Sequence, residues 1–280
     1  MPELPEVETI VTRLKEGTVD TPSVIGETIH TVFVHWDKII AAPDPETFKK
    51  NLQDKQLINA CRRGKFLHFP LNKGHLIGHL KMSGDMRMEK RIKENIDPVP
   101  HQTHDRVIVN FYTPWRLVFS NIRKFGRLWY VNDPNEVFGS LGPEPLDKEF
   151  TPERLFSMLQ KHNRQIKPLL LDQTFLTGLG NIYSDESLFL AKIHPLRKSS
   201  SITKDEAIKL HQAIEMTLKH GIKQFGASLD WVYRGGQFQN YFNVYQQDGK
   251  PCPVCGELIN KIYVGQRGTH YCPNCQVIAR

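Results

Sequence analysis

The chain has 280 residues, of which 39% are apolar and 24% are charged. This composition excludes a disordered or collagen-like chain, and no segment approaches the run of about 18 apolar residues that a membrane helix needs. The length predicts two domains, and the net charge of +7 favours an anionic partner only mildly. The start of the chain lacks the pattern of a signal peptide, so we expect an intracellular protein.

The first eight residues contain two prolines and three glutamates, in the stretch MPELPEVETIVTRL. The stretch predicts an amphipathic helix, because Pro5 suits a first helical turn and Glu6 and Glu8 complement the helix dipole. Helix initiation does not explain Pro2 or Glu3, which precede that turn. These two residues therefore indicate a separate function.

Residues 1–140 are predicted to form a β-rich domain. Segments such as TIHTVFVHW, FLHFPL, DRVIVNFY and RLVFSNI are rich in β-branched and aromatic residues and are separated by turn residues. Their spacing predicts a β-sandwich or barrel of about eight strands. Residues 141–150 combine Pro, Gly and acidic residues without periodicity, which indicates a linker.

From residue 151 the apolar pattern becomes helical. Thr151 is suited to an N-cap and Pro152 to the first helical position. Residues 166–195 contain two helical segments joined by a glycine-containing turn, as in a helix-turn-helix. A longer helix is predicted from about residue 204, with an apolar face formed by Ala207, Leu210, Ile214, Thr217 and Leu218.

Two C-x-x-C pairs near the C-terminal end contain the four cysteines Cys252, Cys255, Cys272 and Cys275. Sixteen residues separate the pairs, a spacing typical of a tetrahedral structural Zn(II) with a hairpin between its two turns. Two disulfides are the alternative, although nothing else indicates an oxidising compartment. Because four thiolates leave no open position, we expect one zinc ion that stabilises the fold and does not activate water. Cys61 stands alone and is predicted to be a small buried residue.

The stretch GLGNIYSDESLF places glycines directly before a helix that begins near Asn181. Backbone N–H groups at a helix N-terminus bind phosphate well, and an Asn side chain can extend such a site. A helix cap without a ligand is the alternative interpretation.

Two predicted turns carry residues suited to an interrupted base stack. HLKMSGD contains Met82, and NIRKFGRLWY contains Arg123 and Phe125. Apolar side chains of this kind can fill a gap in stacked bases while arginine contacts an exposed base edge. Ordinary packing is the alternative for each residue alone. The basic segment CRRGKFLHF, which includes Lys65, indicates either a nucleic-acid contact or a solvated edge.

The chain resembles the bacterial formamidopyrimidine-DNA glycosylase family in a series of ordered motifs: MPELPEVET, RRGKFL, HLKMSG, RKFG, LGPEPL, IKPLLLDQ, GLGNIYSDESLF and the CPVCG…GQRGTHYCPNC ribbon. The resemblance implies an α+β multidomain fold: an N-terminal β-sandwich with flanking helices, a helix-two-turn-helix domain and a C-terminal zinc finger. The expected limits are 1–140, 151–225 and 245–280, with a linker at 141–150 and a loop at 226–244 that caps the lesion.

The resemblance implies a bifunctional DNA glycosylase and AP lyase that removes 8-oxoguanine and formamidopyrimidines. In the family the initiator methionine is removed, so Pro2 is the expected nucleophile, forming a Schiff base once Met1 is lost. Glu3 matches the family's acid. Lys65 matches the lysine assigned to β-elimination, and Arg267 matches the arginine tied to phosphate binding and δ-elimination.

The resemblance also implies DNA contacts. Met82, Arg123 and Phe125 match residues that fill the gap left by a flipped nucleotide, with Arg123 facing the orphaned cytosine. The other matched DNA-binding or site-lining positions are His79, His104, Arg164, Lys167 and Asn181.

Two departures from the family pattern concern DNA contacts and lesion choice. Asn163 stands beside Arg164 where many members have two basic residues. Asp230, Trp231 and Tyr233 change the shape and charge of the expected capping loop, so we expect them to affect the preference among oxidised bases.

The expected partner is double-stranded DNA that contains oxidised bases or abasic sites, bound by a monomer in the bacterial cytoplasm without membrane association. An endonuclease VIII-like enzyme for oxidised pyrimidines is one alternative, although its usual start has glycine where this chain has Leu4. A catalytically silent protein that binds DNA lesions is another, and the presence of Pro2, Glu3 and Lys65 disfavours it.

Overall fold

The computed structural model describes residues 1–91, 102–228 and 235–278. The described chain divides into two compact units: unit 1 comprises residues 1–2 and 6–139, and unit 2 comprises residues 3–5, 140–228 and 235–278. Helix α1 (Leu4–Glu16) therefore contributes residues to both units.

The described residues of unit 1 form two β-sheets and two further helices, α2 (Pro45–Leu52) and α3 (Asn135–Phe138). Its nine described strands are β1 (Ile29–Val34), β2 (Ile40–Ala42), β3 (Cys61–Arg63), β4 (Phe66–Pro70), β5 (His75–His79), β6 (Gly84–Lys90), β7 (Asp105–Phe111), β8 (Trp115–Asn121) and β9 (Arg127–Val131). One sheet has the order β1-β7-β8-β6, and the other has the order β2-β9-β5-β4-β3. Apart from the parallel pair β2 and β9, the paired strands are antiparallel.

The core of unit 1 lies between its two sheets. Val107 and Val109 of β7 and Leu67 and Phe69 of β4 belong to one buried apolar cluster. Each pair is two residues apart, as expected for side chains on one face of a strand. Helices α1 and α2 add apolar side chains to the same cluster. The sequence-based β-sandwich with flanking helices is therefore confirmed, with one strand more than expected.

The described residues of unit 2 form four helices and a two-stranded ribbon: α4 (Pro152–Gln160), α5 (Ile166–Leu171), α6 (Asn181–Leu190), α7 (Lys204–Lys223), β10 (Asn260–Val264) and β11 (Arg267–Tyr271). Short 3-10 turns occur at Asp37–Ile39 in unit 1, and at Ser199–Ser201 and Phe238–Tyr241 in unit 2. One apolar cluster joins α4, α5, α6 and α7, and a smaller one surrounds Cys252 and Cys272.

Local sequence signals account for the starts of α4 and α7. The Thr151 side chain accepts a hydrogen bond from the Arg154 amide and Pro152 occupies the first turn, as predicted. Thr203 and Glu206 form a capping box at the start of α7, and the predicted apolar face of that helix is buried. Among the described residues, no helix combines the length and apolar character that crossing a membrane requires.

His79, at the end of β5, is a buried imidazole with a depressed pKa. Burial, with the nearby charges of Lys81 and Lys65, lowers the pKa of His79 to about 3. Its Nδ1 accepts a hydrogen bond from the Lys81 amide at 2.9 Å, so the hydrogen of the neutral ring is on Nε2. His79 thus stays uncharged in the folded chain at neutral and mildly acidic pH.

Replacing His79 by Gln should make the stability of the folded chain less sensitive to acid. In the unfolded chain the imidazole takes up a proton as the pH falls through about 6.5, whereas the folded chain resists protonation until about 3, so stability is lost over that interval. Between pH 6 and 4, the free energy of unfolding of His79→Gln should fall less steeply than that of the wild type, by up to about 1.4 kcal/mol per pH unit. Urea denaturation at a series of pH values measures the difference, and parallel slopes would contradict it.

Candidate functional site

The carboxylate of Glu3 lies at the N-terminus of α6 in unit 2. Its Oε2 accepts hydrogen bonds from the amides of Gly180 at 2.8 Å and Tyr183 at 3.4 Å, and its Oε1 accepts one from Ile182 at 3.0 Å. The side chain is buried. The positive end of the helix dipole and these amides stabilise the negative charge.

The two glycines that precede α6 leave space for side chains from the start of the chain. A Cβ on Gly180 would overlap the Glu3 carboxyl group, and a Cβ on Gly178 would lie 2.6 Å from a Leu4 methyl. The Leu4 amide also donates to the Gly178 carbonyl at 3.0 Å. The backbone amides at the start of α6, which we expected to bind phosphate, therefore hold a carboxylate of the same chain instead.

Lys167, one of the predicted DNA-binding residues, is fully buried in unit 2. Its ammonium forms an ion pair with Asp185 of α6. Burial lowers the pKa of Lys167, and the charge of Asp185 opposes that shift. The other oxygen of Asp185 accepts a hydrogen bond from the His270 amide at 3.0 Å and lies 3.3 Å from His270 Nδ1. Asp185 thus joins α5 and the zinc-finger ribbon through one carboxylate.

The β10–β11 hairpin places Arg267 beside its turn. Gly265 and Gln266 form the turn, both with positive φ, and Arg267 is exposed. The Asn181 side chain donates a hydrogen bond to the Gly268 carbonyl at 2.9 Å. The structure therefore brings the helix and hairpin residues predicted to contact phosphate into one part of unit 2.

Met82 and Arg123 come together in unit 1 although they are 41 positions apart in sequence. Arg123 Nη1 lies 3.5 Å from the Met82 sulfur, and the Arg123 amide donates to the Ser83 hydroxyl at 2.9 Å. Phe125, in the same β8–β9 loop, is anchored by a 2.9 Å hydrogen bond from its amide to Asn121. The side chains of Met82, Arg123 and Phe125 are exposed. The two loops thus present an arginine in contact with a methionine, and an exposed phenylalanine two residues after that arginine.

Two predicted catalytic residues of unit 1 are buried. Lys65 follows Gly64 in the tight turn between β3 and β4. Pro2 is buried as well, whereas Met1, which precedes it, is exposed.

Two other predicted DNA-binding residues are exposed. His104 of unit 1 lies near the guanidinium of Arg106. Arg164 of unit 2 forms a 2.6 Å ion pair with Asp172. Both side chains are accessible to a ligand of their own unit, and Arg164 already has an acidic partner.

The four cysteines of the C-x-x-C pairs have ligand atoms that all lie within 4.8 Å of one another. Two of the sulfur pairs are 3.9 Å and 3.5 Å apart, Cys252 with Cys275 and Cys255 with Cys272. Thiolates at about 2.3 Å from a tetrahedral zinc lie about 3.8 Å from one another, so this donor set fits zinc. None of the four forms a disulfide.

A buried carboxylate of α6, Glu186, was not identified from the sequence. It accepts hydrogen bonds from the amides of three consecutive residues, 243–245, and burial raises the pKa of its carboxyl group. An acidic residue inside a helix carries no local signal for such distant partners. Glu186 therefore fixes a segment that is far away in sequence.

Cys61 differs from its prediction. It is half-buried, with its sulfur 3.4 Å from His68 Nδ1, so the prediction of a small buried residue is wrong. The physical reason is its position on β3, which is an edge strand of its sheet in the part of the chain that the structure describes.

The predicted capping-loop residues Asp230, Trp231 and Tyr233 lie outside the described residues.

Family models match most of the chain. Residues 1–128 match the formamidopyrimidine-DNA glycosylase N-terminal domain, residues 141–231 match its H2TH domain, and residues 249–277 match a zinc finger found in FPG and IleRS. The zinc-finger match and the sulfur geometry together assign one structural Zn(2+) to the four cysteines.

Curated relatives match over nearly the full length. The formamidopyrimidine-DNA glycosylases of Protochlamydia amoebophila and Bacillus anthracis are 41% and 40% identical, each over 99% of both chains.

Solved structures of DNA complexes also match. A complex between Lactococcus lactis Fpg and DNA containing an abasic site has a TM-score of 0.87 and 34% identity, over 99% of this chain and 100% of that one. A MutM complex with DNA containing carbocyclic 8-oxo-G has a TM-score of 0.87 and 35% identity, with the same coverage.

Replacing Cys272 by Ala should release the zinc ion. Cys272 is buried in the small apolar cluster, and three thiolates bind zinc less tightly than four. We expect the zinc content to fall from about one ion per chain to near zero, with loss of ordered structure in residues 249–277. Colorimetric zinc titration and NMR spectra measure the two effects. Cys61→Ala is the control, and a Cys272→Ala variant that retained zinc would contradict the assignment.

Proposed function

The chain belongs to the formamidopyrimidine-DNA glycosylase family, and from this membership we propose how its own residues carry out the reaction. It is a DNA repair enzyme that removes oxidised purines, including 8-oxoguanine and formamidopyrimidines, and it also has AP lyase activity. Its partner is double-stranded DNA that contains an oxidised base or an abasic site. We propose a location in the bacterial cytoplasm, and the bacterial sources of its curated relatives support this proposal.

The nucleophile of this proposal is the nitrogen of Pro2. After removal of Met1, that nitrogen is a secondary amine, and a free α-amino group has a pKa of about 7.7 to 8.0 in model peptides. The amine attacks C1′ of the damaged nucleotide and the bond to the base breaks. The C1′–O4′ bond of the sugar then opens, and the iminium formed between Pro2 and C1′ makes the adjacent sugar protons acidic. Successive β- and δ-elimination then cleave the strand on both sides of the sugar.

Glu3 is the proposed acid, and its position is the observation that carries the proposal. Three backbone amides of the α6 N-terminus fix this buried carboxylate, which directly follows the nucleophile in the chain. A carboxyl group held in this way protonates the opening sugar and, as the carboxylate, accepts a proton during elimination. Fixed amides hold the group in place and need little reorganisation during the reaction.

The exposed side chains of Met82, Arg123 and Phe125 are proposed to enter the duplex where the damaged nucleotide leaves it. The apolar groups replace lost stacking, and Arg123 hydrogen-bonds the orphaned cytosine. The 3.5 Å contact between Arg123 and Met82 supports this proposal, because it puts both side chains at one position.

Three polar residues are proposed to assist elimination or to bind phosphate. Lys65 donates a proton or contacts a phosphate during β-elimination, and Arg267 contacts a phosphate and promotes δ-elimination. Asn181, beside the Arg267 hairpin, is a further phosphate ligand.

Further DNA contacts are assigned to His79, His104, Arg164 and Lys167. Of these, Lys167 would have to leave its buried ion pair with Asp185 to reach DNA. Breaking such a pair is costly, because it leaves an uncompensated buried charge. We therefore propose that Lys167 supports the DNA site indirectly, by fixing Asp185.

Borohydride should trap a covalent complex between Pro2 and DNA carrying 8-oxoguanine opposite cytosine. The reductant converts the iminium into a stable amine, and peptide mass spectrometry locates the adduct. A matched control carries a removable N-terminal tag, so that Pro2 is an amide before cleavage of the tag and an amine afterwards. An adduct only after cleavage is expected. Trapping on the tagged chain, or on a lysine, would contradict the assignment of Pro2.

Replacing Gly180 by Ala should impair base excision without preventing folding. The new Cβ would occupy the space of the Glu3 carboxylate, which can move because it ends a flexible side chain. Loss of a positioned acid slows such reactions by about 100-fold or more. Single-turnover excision of 8-oxoguanine measures the rate, while binding to DNA with an uncleavable abasic analogue checks that the fold remains intact. Normal excision by Gly180→Ala would exclude the proposed role of Glu3.

A further inference from the structure

Arg62 of β3 connects helix α1 to the turn that carries Lys65. Its Nε donates a hydrogen bond to Glu8 Oε2 at 2.8 Å, and its Nη1 donates to the carbonyl of Gly64 at 3.2 Å. Its side chain is only 10% exposed, so this guanidinium is not an open phosphate ligand. Glu8, Arg62, Gly64 and Lys65 all belong to unit 1.

The Gly64 carbonyl belongs to the same peptide group as the Lys65 amide. Gly64 has a φ of +58°, in the left-handed region, and the pair formed by Arg63 and Phe66 leaves only Gly64 and Lys65 in the turn. Glycine has more backbone freedom than any other residue, so a hydrogen bond to this peptide adds a restraint to the one that the strand pairing provides. The hydrogen bond from Arg62 restrains it, and with it the direction in which the Lys65 side chain leaves the backbone.

Glu8 restrains Arg62 in turn. A guanidinium has donors in a fixed planar fork, so one hydrogen bond to Glu8 orients the donor that reaches the Gly64 carbonyl. Glu8 lies in the second turn of α1, six residues after Pro2 in the sequence. We propose that Glu8 and Arg62 are positioning residues for Lys65, setting its ammonium at the place where β-elimination requires it. The inference rests on the function proposed for Lys65.

The energy of this ion pair also supports a positioning function. Glu8 is about one-third exposed and Arg62 is 10% exposed, so the pair is partly solvated and its loss should cost less stability than the loss of a fully buried pair. A shift of about 1 Å in a catalytic group, by contrast, can cost up to about 100-fold in rate. The effect of breaking the pair should therefore be larger on the rate of the elimination step than on the melting temperature.

The test is a double-mutant cycle between Glu8→Gln and Lys65→Met. Strand cleavage at a preformed abasic site is followed in single turnovers, together with DNA affinity and thermal melting. We expect Glu8→Gln to slow cleavage about 10- to 100-fold with affinity and melting little changed, and to have no further effect in the Lys65→Met background. Arg62→Lys, which lacks the planar fork, should behave like Glu8→Gln. Glu46→Gln, in an exposed ion pair with Lys49 in the same unit, is the matched control.

The outcomes separate the two proposals. If Lys65→Met cleaves at the normal rate, the function proposed for Lys65 is wrong. If Lys65→Met cleaves slowly but Glu8→Gln cleaves at the normal rate, Lys65 keeps its function and the positioning inference is overturned. The same conclusion follows if the rate losses of the two single variants multiply in full in the double variant. A slowing by Glu46→Gln as large as that by Glu8→Gln would also overturn it, since any ion pair of unit 1 would then suffice.

Discussion

The Glu3 carboxylate and the N-terminus of α6 form the contact around which the polar part of unit 2 is organised. The hydrogen bonds satisfy amides that a helix cannot satisfy within itself, and they join residues that are 177 positions apart in sequence. Glycine is required at position 180 because any larger residue would occupy the space of the carboxylate. The same helix carries Asp185 and Glu186, which bind the zinc-finger ribbon and the 243–245 segment. One helix of ten residues therefore fixes three distant parts of the chain.

The buried charges of this part of unit 2 are matched by a partner or by backbone amides. Removing a charged group from water is costly unless hydrogen bonds or an opposite charge compensate for it. Lys167 meets Asp185, and Glu3 and Glu186 each accept backbone amide hydrogens. Such groups are held in one geometry, which suits a site where a proton must be transferred at a defined position. The zinc ion serves the same unit differently, by stabilising a ribbon with a small apolar core.

Local patterns predicted much of the fold. The apolar face of α7, the cap of α4 and the strands of the sandwich all follow from residues close together in sequence, so periodicity and capping rules apply to them. The interpretation of the α6 N-terminus as a phosphate site is wrong for its backbone amides, because their partner is Glu3. Likewise, the sequence of the basic segment around Arg62 does not indicate that Glu8 binds the Arg62 guanidinium. In both cases the partner lies far away in sequence, and no local rule identifies it.

The amino-acid sequence establishes which chemistry is available: a proline that can become an N-terminal amine, a carboxylate beside it and four cysteines at zinc spacing. These properties depend on the covalent chain or on residues that are close together in sequence, so they can be recognised from the sequence before the fold is known. Which groups those residues meet is settled only by folding. The folded chain places Glu3 on the amides of α6, buries Lys167 against Asp185, and fixes the peptide before Lys65 through Arg62. The physical reason is that hydrogen bonds and ion pairs act over a few ångströms, and only tertiary structure brings distant residues that close.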